Sequence, residues 1–145
     1  MAGMKIIGRR ELISILDLEL FDLDAKIDTG ADSNALHCDD IEIDDKGFVH
    51  FTLQDAVHEA YHDKRIVMPL HSIKRVRSSN GKLQERASIK VSVEFFGKKY
   101  KTIISLADRA DMKYPMLIGR KFLSGKFLVD VSKEYIAKKD EKVKI

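Results

Sequence analysis

Two short stretches of this 145-residue chain carry residue types and spacings suited to hydrolysis. Residues 58–62 read His58-Glu59-x-x-His62, the spacing at which two histidines one helical turn apart hold zinc beside a glutamate base. Earlier, "AKIDTGADSNALH" contains Asp28-Thr29-Gly30-Ala31, which points to hydrolysis by paired aspartates without a metal. The two chemistries cannot share one active centre, so the elements that would position each set of side chains must decide between them.

The zinc reading requires "DAVHEAYHDKR" to be helical, because only then do His58 and His62 project from one face. The surrounding pattern argues otherwise. Val57 and Tyr61 make only a narrow apolar stripe, "VHFTL" and "RIVMPL" on either side alternate as strands, and Pro69 closes the segment. A third ligand is also needed. Glu85 could serve as a distant glutamate ligand, and His37, His50 and His71 are scattered. The metal is therefore expected to be absent, with His58, Glu59 and His62 as the alternative set.

The aspartate reading asks for less. "LDAKIDTGA" is a short strand running into a tight turn that displays Asp28, with Gly30 expected to supply the backbone freedom that lets amides face a carboxylate. Taken alone, Asp-Thr-Gly is equally an ordinary turn closed by an aspartate side chain. Alternation recurs in "FVHFTL", "IKVSVEFF" and "KYKTIISL", separated by glycine turns at "DDKG" and "FFGKK". Asn80-Gly81 is the strongest two-residue hairpin signal, since a type I′ turn needs positive φ at both central positions. A short helix is expected from Gly119 through "RKFLS", stopped by Gly125, before "KFLVDV" returns to strand. The fold class is all-β with one short helix.

Length favours one domain over residues 1–145, with about 138–145 frayed. No apolar run has signal-peptide or membrane-span length, and Cys38 is the single cysteine, so a cytoplasmic protein with no intramolecular disulfide is expected. The net charge of +3 conceals a segregation. Residues 1–69 carry 7 basic and 15 acidic side chains, residues 70–102 carry 9 and 2, and residues 103–145 carry 10 and 6. The basic island could meet nucleic acid, an acidic peptide or the chain's own acidic first half. Aromatic residues are not interleaved with it, which makes nucleic acid the weaker partner.

About ninety residues after Asp28 comes "YPMLIGRKFL", an apolar run followed by Gly119-Arg120 at a helix start. "IDTGAD" together with "MLIGRKFL" resembles the retropepsin-like aspartic peptidases, in which the first motif supplies the catalytic aspartate and the second threads beneath it. The whole chain, including "RVRSSNG", "LADRADMKYPMLIGRKFL" and "FLVDVS", is further similar to a bacterial family labelled ATP-dependent zinc proteases that accompanies RimK-type ATP-grasp glutamate ligases. That label and the retropepsin-like residues disagree. No Gly-x-x-x-x-Gly-Lys-Ser/Thr loop occurs, so ATP would belong to a partner ligase and no cofactor is expected here.

The resemblance implies a small closed barrel of retropepsin type and a homodimer, because the chain has one Asp-Thr-Gly and the second aspartate must come from a second copy. Two such aspartates share one proton; the charged one activates water and the protonated one polarises the scissile carbonyl. Thr29 would brace the dyad across the axis, Gly30 would admit close backbone approach, and Ala31 would keep the floor small. Asp32 and Arg120 would form a bidentate structural pair. The hairpin "KRVRSSNGKLQER" would be the flap, basic where viral members are apolar and glycine-rich. Arg75, Arg77, Asn80, Gly81 and Arg86 on it are candidate substrate-binding residues, and glutamate-rich tails are the substrate suggested by the ligase association. A catalytically inactive binding or adaptor domain is the remaining alternative.

Overall fold

The computed structural model describes residues 3–53, 64–77, 81–108 and 113–137. The strands are β1 (Lys5–Ile7), β2 (Arg10–Ile15), β3 (Leu20–Ile27), β4 (Asn34–His37), β5 (Asp39–Ile43), β6 (Phe48–Thr52), β7 (Arg65–Pro69), β8 (Ser72–Arg77), β9 (Leu83–Phe95), β10 (Lys98–Ala107), β11 (Met116–Ile118) and β12 (Phe127–Val129), with one short helix, α1 (Arg120–Leu123). The protein is all-β in the sense read from the alternating sequence.

Alternation directs the side chains inward. In β2, Glu11, Ile13 and Ile15 are buried while their neighbours are only partly so, and in β9 Ala87, Ile89, Val91, Val93 and Phe95 all point to the core. Six strands close a barrel in the order β10-β4-β11-β3-β2-β9, with the long β9–β10 pairing completing the ring and β8 extending it beyond β9. Closure leaves the ring strands without an open edge. A separate sheet, β5-β6-β7, and the parallel pair β1–β12 lie outside the ring. The buried side chains form one cluster, sealed at one end by edge-to-face packing of Phe95 on Phe122 and Phe127 with centroids 5.8 and 5.2 Å apart. No described helix is long and apolar enough to cross a membrane.

Two features of this frame position the candidate site. β11 inserts between β3 and β4, parallel to the first (Ile118 opposite Ile27) and antiparallel to the second (Leu117 opposite Ala35). The segments leaving β3 and β11 therefore emerge side by side at one end of the barrel. The β8–β9 ladder runs from Ser72↔Ser88 to Arg77↔Leu83, a hairpin at the expected place. Gly81 has φ +85°, and Asn80, with the two residues before it, lies outside the described residues.

A buried charge ties the chain's two ends to the barrel. Glu11, 0% exposed, accepts the amides of Gly8 (2.7 Å), Ile136 (3.1 Å) and Ala137 (3.4 Å). Nearby, Asp24 accepts both the Arg10 guanidinium (2.8 Å) and the Tyr135 hydroxyl (3.0 Å). Burial first and the bond to Asp24 second push the Tyr135 phenol up to about 12. Removing the Glu11 carboxylate would orphan three donors. Glu11→Ala is expected to lower stability to urea by about 3 kcal/mol, and Glu11→Gln, which keeps an acceptor, by less than half of that. Equal losses in the two variants would show that the amides do not depend on the acceptor.

Candidate active site

Asp28 follows directly on β3, and its placement is fixed from below by backbone hydrogen bonds. Its amide donates to the Ile118 carbonyl (2.8 Å), and its own carbonyl accepts the Ala31 amide (3.1 Å), closing the turn. The Gly30 amide donates to Asp28 Oδ1 (3.1 Å), which aims the carboxylate along the turn. Asp28 is partly exposed, while Thr29 and Gly30 are exposed. Gly30 is not in the positive-φ region, contrary to the conformational role expected for it. What it supplies is space: a Cβ there would lie 3.3 Å from Asp28 Oδ1.

Gly119 carries the tighter constraint. A Cβ on it would lie 2.6 Å from the Ser33 carbonyl oxygen and 2.8 Å from the Ser33 nitrogen, closer than non-bonded atoms approach. Its φ of −97° is open to any residue, so close approach and not conformation requires glycine here. The seam continues through Arg120 N to the Ala31 carbonyl (2.9 Å), Lys121 N to the Asp32 carbonyl (3.0 Å) and Gly119 N to Asn34 Oδ1 (3.0 Å). Asn34, 3% exposed, in turn donates through Nδ2 to Thr102 Oγ1 (3.0 Å) and the Ile103 carbonyl (3.2 Å). One side chain thus joins the β11–α1 turn to β4 and β10.

The Asp32–Arg120 contact is weaker than the bidentate pair expected. A single approach of 3.7 Å joins Arg120 Nη2 to Asp32 Oδ1, and both side chains are more than half exposed. Two competitors explain this. Arg120 Nη1 donates to the Thr29 carbonyl (2.9 Å), and Lys121 Nζ sits 3.3 Å from Asp32 Oδ2. Arg120 therefore holds the Asp-Thr-Gly loop through a backbone oxygen, and its exposed pairing with Asp32 is worth less than about 1 kcal/mol.

Asp28, Gly30, Ala31 and Asp32 line a cleft of about 480 Å³ together with Arg86 of β9. Arg86 also lines a second cleft, of about 620 Å³, bounded by Ile41 and Ile43 of β5 and by Leu106 and Ala107 of β10. Arg75 and Arg77 share one face of β8, as alternation requires, but they do not line the Asp28 cleft. Arg75 Nε lies 4.0 Å from Glu85 Oε1 across the hairpin, and Arg77 donates to the Gly81 carbonyl (3.0 Å). Arg86 stands opposite Lys74 in the ladder, on the other face from Arg75 and Arg77. The hairpin arginines are thus divided between its two sides.

His58, Glu59 and His62 lie outside the described residues, and among the described residues no three His, Cys, Asp or Glu side chains converge as metal ligands. Cys38 is fully buried; burial first, then Asp39 and Asp108, push its thiol well above the ordinary range, so it does not offer a thiolate.

Residues 6–140 match the family described as "Retropepsin-like aspartic endopeptidase RimB". The chain belongs to this RimB-like family. A protein named "Probable alpha-L-glutamate ligase" from Shewanella halifaxensis (strain HAW-EB4) is 28% identical over 137 residues, covering 90% of this chain and 29% of that protein. A protein of the same name from Desulfotalea psychrophila (strain LSv54 / DSM 12343) is 27% identical over 150 residues, covering 92% of this chain and 32% of its own length. The RimB-like chain therefore spans about a third of these curated relatives. Among solved structures, the Legionella pneumophila protein Lpg0085, whose function is described as unknown, superposes with a TM-score of 0.72 at 25% identity, covering 92% of this chain and 98% of that one.

Ser33 and Asn34 of this RimB-like chain belong to the site although neither is part of the Asp-Thr-Gly-Ala or Gly-Arg motif. A polar residue at the start of a strand was the available signal for Asn34. The backbone bond to Thr29 left no signal, because a carbonyl has no residue identity. Gly119 offers the clearest test of the seam. Gly119→Ala is expected to lower stability by about 3 kcal/mol in urea unfolding, because two backbones must separate, whereas Gly30→Ala should cost well under half as much. Equal costs would mean that the close approach at Ser33 is not a constraint.

Proposed function

We propose that the protein is an aspartic peptidase that works as a homodimer, with one Asp28 from each copy activating water for peptide-bond hydrolysis. The observation that carries this reading is the Asp28 carboxylate, held by the Gly30 amide and presented to a cleft by a loop locked beneath by Gly119. One Asp-Thr-Gly occurs in the sequence, so a second copy is required to complete a dyad. Exposure of Thr29 and Gly30 leaves the loop available to that copy. The β1–β12 pair, with Ile6 54% and Leu128 55% exposed, presents further apolar surface for association.

In such a dimer two carboxylates at the axis cannot both ionise, so they hold one proton between them and titrate as a pair. The ionised member takes a proton from water as the oxygen attacks the peptide carbonyl. The protonated member donates to the carbonyl oxygen, and the proton that returns to the leaving amine completes cleavage. Thr29 braces the two loops across the axis, and Arg120, through the Thr29 carbonyl, keeps each in place.

The substrate we propose is an acidic, glutamate-rich peptide tail. Arg86 supports it, as a cation lining the Asp28 cleft. The names of the relatives support it too, and suggest a glutamate ligase as a partner whose product this enzyme would trim. The alternatives are a zinc hydrolase built on His58, Glu59 and His62, and a binding domain attached to ligase function. Cleavage of a glutamate-tailed peptide against a lysine-tailed one separates them. Asp28→Asn should abolish turnover, a chelator should leave it unchanged, and Arg86→Glu should raise KM for the acidic peptide about tenfold with little change in kcat. Chelator-sensitive turnover restored by zinc would establish the metal reading, and binding without turnover the adaptor reading.

A further inference from the structure

Beside the Asp28 cleft, and sharing only Ser33 and Asn34 with it, lies a second cleft of about 480 Å³ lined by five lysines: Lys74, Lys90, Lys101, Lys121 and Lys126. They come from three adjacent strands and the α1 region, so the fold assembles a cluster that no single stretch of sequence contains. Strand alternation explains the first three. Lys74 stands opposite Arg86, Ile103 opposite Lys90 and Lys101 opposite Ser92, which places all three lysines on the outer face of the β8-β9-β10 sheet.

The cations differ in how far they are already compensated. Lys121 is paired with Asp32 at 3.3 Å, and Lys126 donates to the Phe122 carbonyl (2.9 Å) with its ammonium 4.8 Å from the Phe122 ring. Lys74, Lys90 and Lys101 are exposed and make no ion pair with any described residue. With no counter-charge among the described residues, the three lysines leave a positive potential over this face that favours an anionic ligand.

We infer that this cleft is an anion-binding exosite that holds an extended acidic polypeptide outside the Asp28 cleft. Six residues of stagger along the strands and two strand spacings separate Lys74 from Lys101, a span of roughly 20 Å, or about six residues of extended chain. Between them the floor offers Ile103, 40% exposed, against which the aliphatic parts of a peptide can lie. Lysine ammoniums suit single carboxylates, whereas paired phosphate contacts favour arginine. Phe122 in the lining is 4% exposed and so is not available for base stacking, which leaves the exposed His71 as the one ring a base could meet there. A polypeptide fits these features better than a nucleic acid does. The inference goes beyond the peptidase reading, and its test does not depend on turnover.

The test is fluorescence anisotropy of a labelled hexa-L-glutamate peptide at low salt with the full chain carrying Asp28→Asn. Lys90→Glu with Lys101→Glu should weaken binding about tenfold or more, and the neutral pair Lys90→Gln with Lys101→Gln should weaken it by a smaller factor. Lys46→Glu with Lys98→Glu makes the same change in net charge elsewhere and should alter affinity by less than about twofold. Circular dichroism confirms that each variant is folded. Absence of binding, equal losses in the two Glu pairs, or a loss produced by Arg86→Glu and not by the lysine pairs would overturn the exosite. Tighter, lysine-dependent binding of a hexathymidylate would overturn its assignment to a polypeptide.

Discussion

The close passage of Gly119 against Ser33 is the constraint on which the rest of the site depends. With no room for a side chain, β11 slides between β3 and β4, and the turn after it hydrogen-bonds to the loop after β3 at Ala31 and Asp32 and to Asn34 at the start of β4. The Asp28 loop is supported by a second chain segment at van der Waals distance. That support is what a reactive carboxylate needs, since positioning to within a fraction of an ångström comes from packed neighbours and their hydrogen bonds. Asn34 and Arg120 extend the support to β10 and to the Thr29 carbonyl.

Charge is organised around this support. The acidic first half contains Asp28 and Asp32, while the basic island supplies Arg86 to the Asp28 cleft and Lys74, Lys90 and Lys101 to the neighbouring one. Some of the positive charge is satisfied internally, as Arg75 is by Glu85 and Lys64 by Glu19. The cations around the two clefts are compensated less fully. An acidic ligand would therefore meet a graded positive surface leading toward the carboxylate, and salt would weaken that attraction.

Much of this was legible in the sequence for definite reasons. Asp28-Thr29-Gly30 and Gly119-Arg120 are local signatures of one seam, and the strands alternate strongly because one face of each packs on the barrel core. The β8–β9 hairpin was legible through Gly81, which takes the positive φ the turn signal calls for. What could not be read depends on which strands become neighbours. Alternation puts Arg75 and Arg77 on a common face, but only the β8–β9 register shows Arg86 on the opposite one. The lysine cleft draws on residues from 74 to 126, and Glu11 serves amides more than a hundred residues away. Likewise the retropepsin-like resemblance implies a bidentate Asp32–Arg120 pair, and only one approach of 3.7 Å is made. Its geometry is weak because a backbone oxygen and Lys121 compete for the same groups.

The central claim is that one catalytic centre takes an aspartate from each of two copies. The direct measurement mixes wild-type chains with Asp28→Asn chains under exchanging conditions and follows peptide turnover against the wild-type fraction. A shared dyad predicts that turnover falls as the square of that fraction, to about a quarter at an equal mixture, because mixed dimers hold one functional aspartate. A linear fall, to about half, would contradict the account, since each chain would then carry a complete site of its own.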